Sequence, residues 1–457
     1  MVSGRARRWT AAACLGGAVL VAPLAGCDFT EGYDDDPNAA TGAPANLLLT
    51  GGELGVVQVA AGDYARVGGL FSRQFSGSDR QYSTIFGGNV TGEDFNATWI
   101  AAYQDGIGQL RLAEAAYQEA GNELGVGIAK LHQAYLFGTL ADLFGDVPFS
   151  EALDLDENRN PNFDSQASVY AGVQTLLDEA IANFNSTTSS TQPGDIFGLT
   201  RAQYIEVAHS MKARFYLHTA EYGQAAAEAR LGISAPANNL SAPFPGVDGQ
   251  STNLFFTFTQ LERAGYLTAN NSYAAQLLDA RRDPDADSTA LDRYDFYFSG
   301  PVATATLNND RAFNRNSPVP IITYAETQLI LAESILLSGG SADDALAALN
   351  RVRASNAAQF PGDDLDALGS DDFDSNNALL REILTEKYVT LIGNIEAFND
   401  VRRTDNFIGV PADATPQGIP QRFLYAQIEL NANENAPTQS NLFNETPVNA
   451  GINYTGL

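Results

Sequence analysis

Residues 135–149 read Tyr-Leu-Phe-Gly-Thr-Leu-Ala-Asp-Leu-Phe-Gly-Asp-Val-Pro-Phe. The run from Ile128 to Phe144 has the apolar pattern of an α-helix. Gly145 takes its C-cap position, and Gly-Asp-Val-Pro then turns the chain into Phe149. Working outward, helical patterns dominate: Ala45–Ala60, Trp99–Ala120, Val169–Phe184, Arg201–Tyr222 and Gln224–Leu231. Near the C-terminus follow Tyr324–Leu337, Asp343–Arg353 and Leu379–Gly393. The chain is therefore expected to be mainly all-α.

Two of these helices pair with their successors as hairpins. Ala213, Tyr216, Tyr222 and Ala225 fall at the small–aromatic–aromatic–small offsets of a tetratricopeptide repeat, and Ala332, Ile335 and Ala345 repeat the idea around Gly339-Gly340. Small residues let two helices approach, and aromatics wedge between them. From Ile233 to Pro320 the helical period weakens and Asn, Pro, Gly, Ser and aromatics accumulate. Long irregular segments of this kind are usually functional or disordered, and the aromatic density argues against disorder. Short β candidates here are Leu254–Thr259 (LFFTFT) and Asp295–Phe298.

The N-terminus reads as an export signal. Arg5, Arg7 and Arg8 precede an apolar stretch from Ala11 to Ala22, too short to span a bilayer, and Leu24-Ala25-Gly26 leads into Cys27. Small residues followed by Cys form a lipobox, so residues 1–26 are expected to be removed and Cys27 lipidated. Residues 27–44 then form an acidic, Gly/Pro/Asn-rich tether, and 45–457 a single domain. The run Asp34-Asp35-Asp36 reads either as a solvated linker or as a signal for the cell surface. Cys14 leaves with the signal, so the mature chain has no thiol for a disulfide, a metal or catalysis. Removing three arginines leaves 23 basic against 55 acidic residues, a net charge of −32. Such a surface repels nucleic acid and anionic lipid. Acids spread along the whole chain favour adaptation to high salt over an acidic interface for a cationic ligand.

Enzyme signatures are missing. The sequence holds no Gly-x-Ser-x-Gly elbow, no P-loop lysine after glycine and no His-Glu-x-x-His. His132, His209 and His218 are expected to be structural. Asp283, Asp285 and Asp287 begin like a calcium loop, but Ser288 replaces the turn glycine and Tyr294 the final glutamate, which leaves a solvated turn. Neither a metal nor a cofactor is expected. With 55 acids, no single carboxylate pair argues for glycoside hydrolysis.

Several stretches, in order along the chain, resemble the SusD/RagB family of nutrient-binding outer-membrane lipoproteins. They are Asp34–Asn38 followed by Leu47-Leu48-Leu49, the Tyr135–Phe149 segment, Tyr324–Arg353, Glu396–Arg403 (EAFNDVRR) and Ile419–Phe423 (IPQRF). The resemblance implies a scaffold of four tetratricopeptide-like helical pairs with irregular insertions forming a ligand face. It implies capture of an oligosaccharide, in some members a peptide, for a SusC-like TonB-dependent transporter, with lipid as the only membrane attachment. A helical scaffold that binds only protein is the other alternative. Through Leu277–Asp292 the chain departs from the family pattern, since Asp285 follows Asp283-Pro284 and further residues intervene before Tyr294.

Sugar rings present apolar faces to aromatic side chains, and Arg and Asn offer donors to hydroxyls. Trp99, the only Trp of the mature chain, follows a loop carrying Arg73, Tyr82, Phe86, Asn89 and Asn96. Trp99, Tyr82, Arg73 and Asn96 are therefore one candidate ligand set. Tyr266, Tyr273, Tyr294 and Tyr297 on the irregular middle are the second.

Overall fold

The computed structural model describes residues 43–154, 158–247, 251–287 and 289–454. The signal segment, Cys27, Asp34–Asp36 and most of the tether lie outside the described residues, as does Ser288. From Pro44 onward the described residues pack as one compact unit. Among them, no helix is long and apolar enough to cross a membrane.

Helices build the scaffold as expected. They are α1 (Ala45–Ala61), α2 (Asp63–Phe71), α3 (Gln109–Glu119), α4 (Glu123–Phe144), α5 (Gln166–Ser186), α6 (Arg201–His218) and α7 (Tyr222–Ala229). Later in the chain come α8 (Tyr324–Leu337), α9 (Ala342–Gln359), α10 (Asn376–Thr390) and α11 (Glu396–Arg403). Starts are fixed by caps: Ser165, Thr323, Ser341 and Ser375 each accept a hydrogen bond from the backbone N–H three residues on, and Thr200 forms a capping box with Gln203. Helix α1 packs on α3, α4 on α5, α6 on α7 and α8 on α9, while α3–α4, α5–α6 and α7–α8 contacts link the pairs in sequence. Ala213, Ala225, Ala332 and Ala345 are fully buried between paired helices, with Tyr216 and Tyr222 half-buried beside them, so the small–aromatic offsets serve the expected packing.

Two aromatic rings pack where α4 carries glycine. A Cβ at Gly138 would stand 2.1 Å from the Phe215 ring, and one at Gly127 2.5 Å from Phe184. These two positions make room on α4 for the Phe215 ring of α6 and the Phe184 ring of α5.

The end of α4 explains why the 135–149 stretch is informative. A helix leaves its last four carbonyls without intrahelical partners. Here Ala141 O accepts from the Gly145 N–H and from Gln166 Nε2, Asp142 O from Arg402 Nη2, Leu143 O from the Phe423 N–H and Phe144 O from Arg422. Gly145 holds φ at +83°, a left-handed backbone that glycine adopts freely. The Phe423 ring stacks on Phe95 and Phe398. The EAFNDVRR and IPQRF segments are thus the C-cap of α4.

Beneath this knot lies a buried ionic network. Arg403 grips Glu333 through two 2.7 Å bonds and also pairs with Asp400, which Lys387 reaches at 3.0 Å. Arg214 grips Glu326 in the same bidentate way. His218 lies between two carboxylates, with Nδ1 2.7 Å from Asp142 and Nε2 3.3 Å from Glu396. Asp142, His218 and Glu396 also have the spacing of a metal site. Both ring nitrogens face carboxylates, however. Burial pushes the imidazole pKa down, Asp142 and Glu396 more than reverse this, and the result is about 9. A protonated His218 closes the cluster as ion pairs.

Two β candidates are instead helical. Leu254–Phe256 starts a helical turn because the Asn253 side chain accepts from the Phe255 and Phe256 N–H groups, and a π-turn continues to Glu262. Asp292 likewise caps Arg293–Tyr297, leaving only Phe298–Ser299 extended. Side-chain capping overrides β propensity at both places. Sheet structure among the described residues is three antiparallel two-stranded ribbons: β1 (Ser76–Gly77) with β3 (Leu267–Thr268), β2 (Leu240–Ala242) with β6 (Val319–Ile322), and β4 (Phe298–Ser299) with β5 (Thr306–Leu307).

Candidate functional site

The β1–β3 ribbon joins the segment after α2 to the irregular middle, pairing Ser76 with Thr268. Around it opens a cavity of about 470 Å³. Its wall comes from three separate stretches: Arg73, Ser76, Ser78 and Phe86; then Asn270, Asn271, Tyr273 and Gln276; then Pro411 and Asp413.

The first stretch is fixed from below. Gln74 donates to the Tyr388 and Leu391 carbonyls and accepts from the Gly393 N–H, while Tyr388 Oη donates to Ser72 O. With its neighbours held, Arg73 adopts φ +63°, and Asn271 across the cavity adopts +53°. Left-handed backbone at a bulky residue such as arginine is unfavourable by roughly 1–3 kcal/mol and collects at functional sites. The Arg73 carbonyl accepts from the Tyr273 N–H at 2.9 Å, which ties the first two stretches together. Ser76 Oγ donates to Asn270 O, and Gln276 Nε2 to Asn271 O.

The Arg73 guanidinium lies over the Phe86 ring, 4.4 Å from its centroid, and its Nη2 is 2.8 Å from Asp413 Oδ1. Burial pulls its pKa below the usual arginine value, against the pull of Asp413. Among the described residues Asp413 is the only carboxylate in the wall, and hydroxyl and amide groups with the Phe86 and Tyr273 rings make up most of the rest. Such a surface suits a neutral or singly charged polyhydroxylated ligand, with donors and acceptors on both sides.

The expected residues are divided by the fold. Arg73 and Tyr273 meet in this cavity. Tyr266 stands at its rim, where its carbonyl accepts from the Ser78 N–H and its half-buried ring lies between Arg80 and Arg263. Trp99 is 4 % exposed, packed on Tyr103 at 4.9 Å and edge-on to Phe144 at 5.0 Å, so its ring offers no face to a ligand. Tyr82 is equally buried, its ring packed at a tilt on Phe258 with centroids 4.5 Å apart, and its hydroxyl accepts from Arg66 Nε. Asn96 accepts from the Ile428 N–H and so pins the C-terminal segment. Tyr294 is buried beneath Arg282 and donates to Gly300 O. Tyr297 lines a second concavity of about 330 Å³ with Phe296, Phe313, Pro318, Tyr324 and Phe360. Burial there raises its hydroxyl pKa to about 12. Asn270, Asn271, Gln276 and Asp413 were not expected. Of these only the Asn-Asn-Ser run before Tyr273, a helix N-cap signal, stands out in the sequence.

A family model described as SusD-like, starch-binding and associating with the outer membrane matches residues 46–426. Among solved structures, a SusD/RagB family protein from Bacteroides thetaiotaomicron aligns with TM-score 0.67 and 19 % identity over 86 % of this chain and 95 % of its own. A SusD homolog from Bacteroides uniformis gives 0.68 and 16 %, over 88 % and 99 % of the two chains. A chitin-binding SusD homolog from Flavobacterium johnsoniae gives 0.64 and 15 %, over 88 % and 98 %. No curated protein matches significantly. A family match across most of the chain, on a shared helical fold, leaves one conclusion: this protein belongs to the SusD-like family.

Proposed function

We propose that this protein binds an oligosaccharide in the cavity around Arg73 and delivers it, uncut, to a SusC-like TonB-dependent transporter. Lipid on Cys27 holds it to the outer membrane with the domain facing outward. The observation that carries the reading is the cavity wall, in which Arg73, Ser78, Asn270, Asn271 and Gln276 offer hydrogen bonds beside the Phe86 and Tyr273 rings. The chitin-binding relative from Flavobacterium johnsoniae supports a glycan as ligand. Capture without turnover fits the same wall. Glycoside hydrolysis uses two carboxyl groups facing one bond, and here Asp413 stands alone, engaged by Arg73. Delivery requires the ligand to favour the transporter-closed arrangement over the open one.

The peptide alternative draws on the second concavity, whose Phe296, Phe313, Pro318 and Phe360 would receive apolar side chains. Calorimetric titration with oligosaccharides and with peptides separates the two. Saccharide binding that weakens in Arg73→Gln supports the first reading. Peptide binding that Arg73→Gln leaves intact removes it.

A further inference from the structure

We infer that the cavity selects an acidic sugar: an oligosaccharide bearing a uronic acid, whose carboxylate takes the place that Asp413 holds on Arg73. This rests on the proposed glycan binding and names the class of glycan.

The argument starts from how poorly Arg73 is satisfied. It is 9 % exposed, and its Nε and Nη1 have no hydrogen-bond partner among the described residues. Its single ionic partner among the described residues, the Asp413 side chain, is 69 % exposed. Three other buried arginines each have two carboxylate partners, although Arg214 and Arg293 also keep one nitrogen without a hydrogen bond where Arg73 keeps two. Arg214 pairs with Glu326 and Glu396, Arg293 with Asp363 and Glu386, and Arg403 with Glu333 and Asp400, all of them buried carboxylates. A desolvated guanidinium with open donors is unfavourable on its own. Here it is kept, on a left-handed backbone, in the wall of a cavity.

A guanidinium presents donors in a planar fork that matches a carboxylate through two parallel bonds. Asp413 engages one nitrogen of that fork and comes from an exposed side chain, so it can swing into solvent when a ligand carboxylate arrives. The remaining polar wall groups, Ser76, Ser78, Asn270, Asn271 and Gln276, are neutral and suited to ring hydroxyls. Hydroxyl and amide groups beside the Phe86 and Tyr273 rings match the hydroxyls and apolar faces of a sugar, which favours a sugar acid over a peptide carboxy-terminus. Discrimination must be local, because the chain as a whole carries a net charge of −29 and repels anions at long range.

The test uses the full-length protein in detergent, titrated with tetragalacturonate and with alginate tetramers, each beside its carboxyl-reduced neutral counterpart. In at least one pair the acidic member should bind about tenfold or more tightly, the scale of one charge-assisted hydrogen bond. Arg73→Gln should abolish that preference, and Asp413→Asn, which removes the competing carboxylate, should strengthen binding of the acidic member alone. Equal or tighter binding of the neutral members overturns the inference while leaving glycan capture standing. So does a preference that survives Arg73→Gln. Failure of every saccharide, neutral members included, overturns both. If Arg73→Gln does not fold, Asp413→Asn decides: unchanged or weaker acidic binding refutes the inference. Arg73-dependent capture of peptides through their free carboxy-termini, in place of sugars, also overturns it.

Discussion

Replacing His218 by Gln tests the buried ionic network quantitatively. In the folded protein the imidazole has a pKa of about 9, against an ordinary value of 6.5. Burial alone would lower it, but Asp142 at 2.7 Å and Glu396 at 3.3 Å favour the charged form. Because the folded value lies above the unfolded one, folding takes up a proton in this window. The stabilisation is complete below about pH 6.5 and is lost as pH rises through about 9. A difference of about 2.5 pH units corresponds to about 3 kcal/mol. The assay is urea denaturation of wild type and His218→Gln from pH 6 to pH 10 at constant salt. The stability gap between the two proteins should shrink by about 3 kcal/mol across that range. Proton NMR of the His218 ring should show a titration near pH 9. A gap that stays constant, or a ring that titrates near or below 6.5, refutes the assignment of a charged histidine at the centre of the cluster.

Other perturbations have equally definite outcomes. His132 works in the opposite direction: burial holds it neutral, with a pKa of about 3, although Glu53 lies 3.4 Å away. Its contribution is complete above about pH 6.5 and lost as pH falls toward about 3, so His132→Leu should move the acid-unfolding midpoint to lower pH. Gly138→Ala forces a Cβ into the Phe215 ring and should lower stability by about 1–3 kcal/mol in urea melts. Arg422→Ala strips Phe144 O of its partner at the end of α4 and should cost about 1–3 kcal/mol by the same measurement. Because of the acidic excess, the melting temperature should rise between about 0.1 and about 2 M NaCl, as screening shortens the reach of repulsion to a few Å.

The scaffold was legible because α-helical burial leaves a local period in the sequence. Helix pairs such as α6–α7 announced themselves through Ala213 and Ala225, whose small side chains the packing requires. Errors arose where a single capping side chain outweighed propensity, as Asn253 does for LFFTFT and Asp292 for Arg293–Tyr297. The residues of the candidate cavity were harder. Trp99 follows a polar loop at a helix start, a place that suits either a ligand-facing aromatic or one packed into the core, and Phe144 and Tyr103 enclose it in the core. Asp413 carries no local signal at all. Its place in the cavity exists only because a ribbon pairs Ser76 with Thr268 and the 411–413 segment then reaches Arg73. Residues brought together by non-local register cannot be grouped by spacing along the chain.

The claim that this SusD-like protein captures glycan without cutting it is tested most directly by one calorimetric titration. Full-length protein is titrated in molar salt with a panel of neutral and acidic oligosaccharides, and the sugar is recovered for chromatography. The account predicts saturable binding of at least one saccharide, loss of that binding in Arg73→Gln, and recovery of the sugar at its original length. Absence of any saccharide binding, or recovery of shortened sugars, would contradict it.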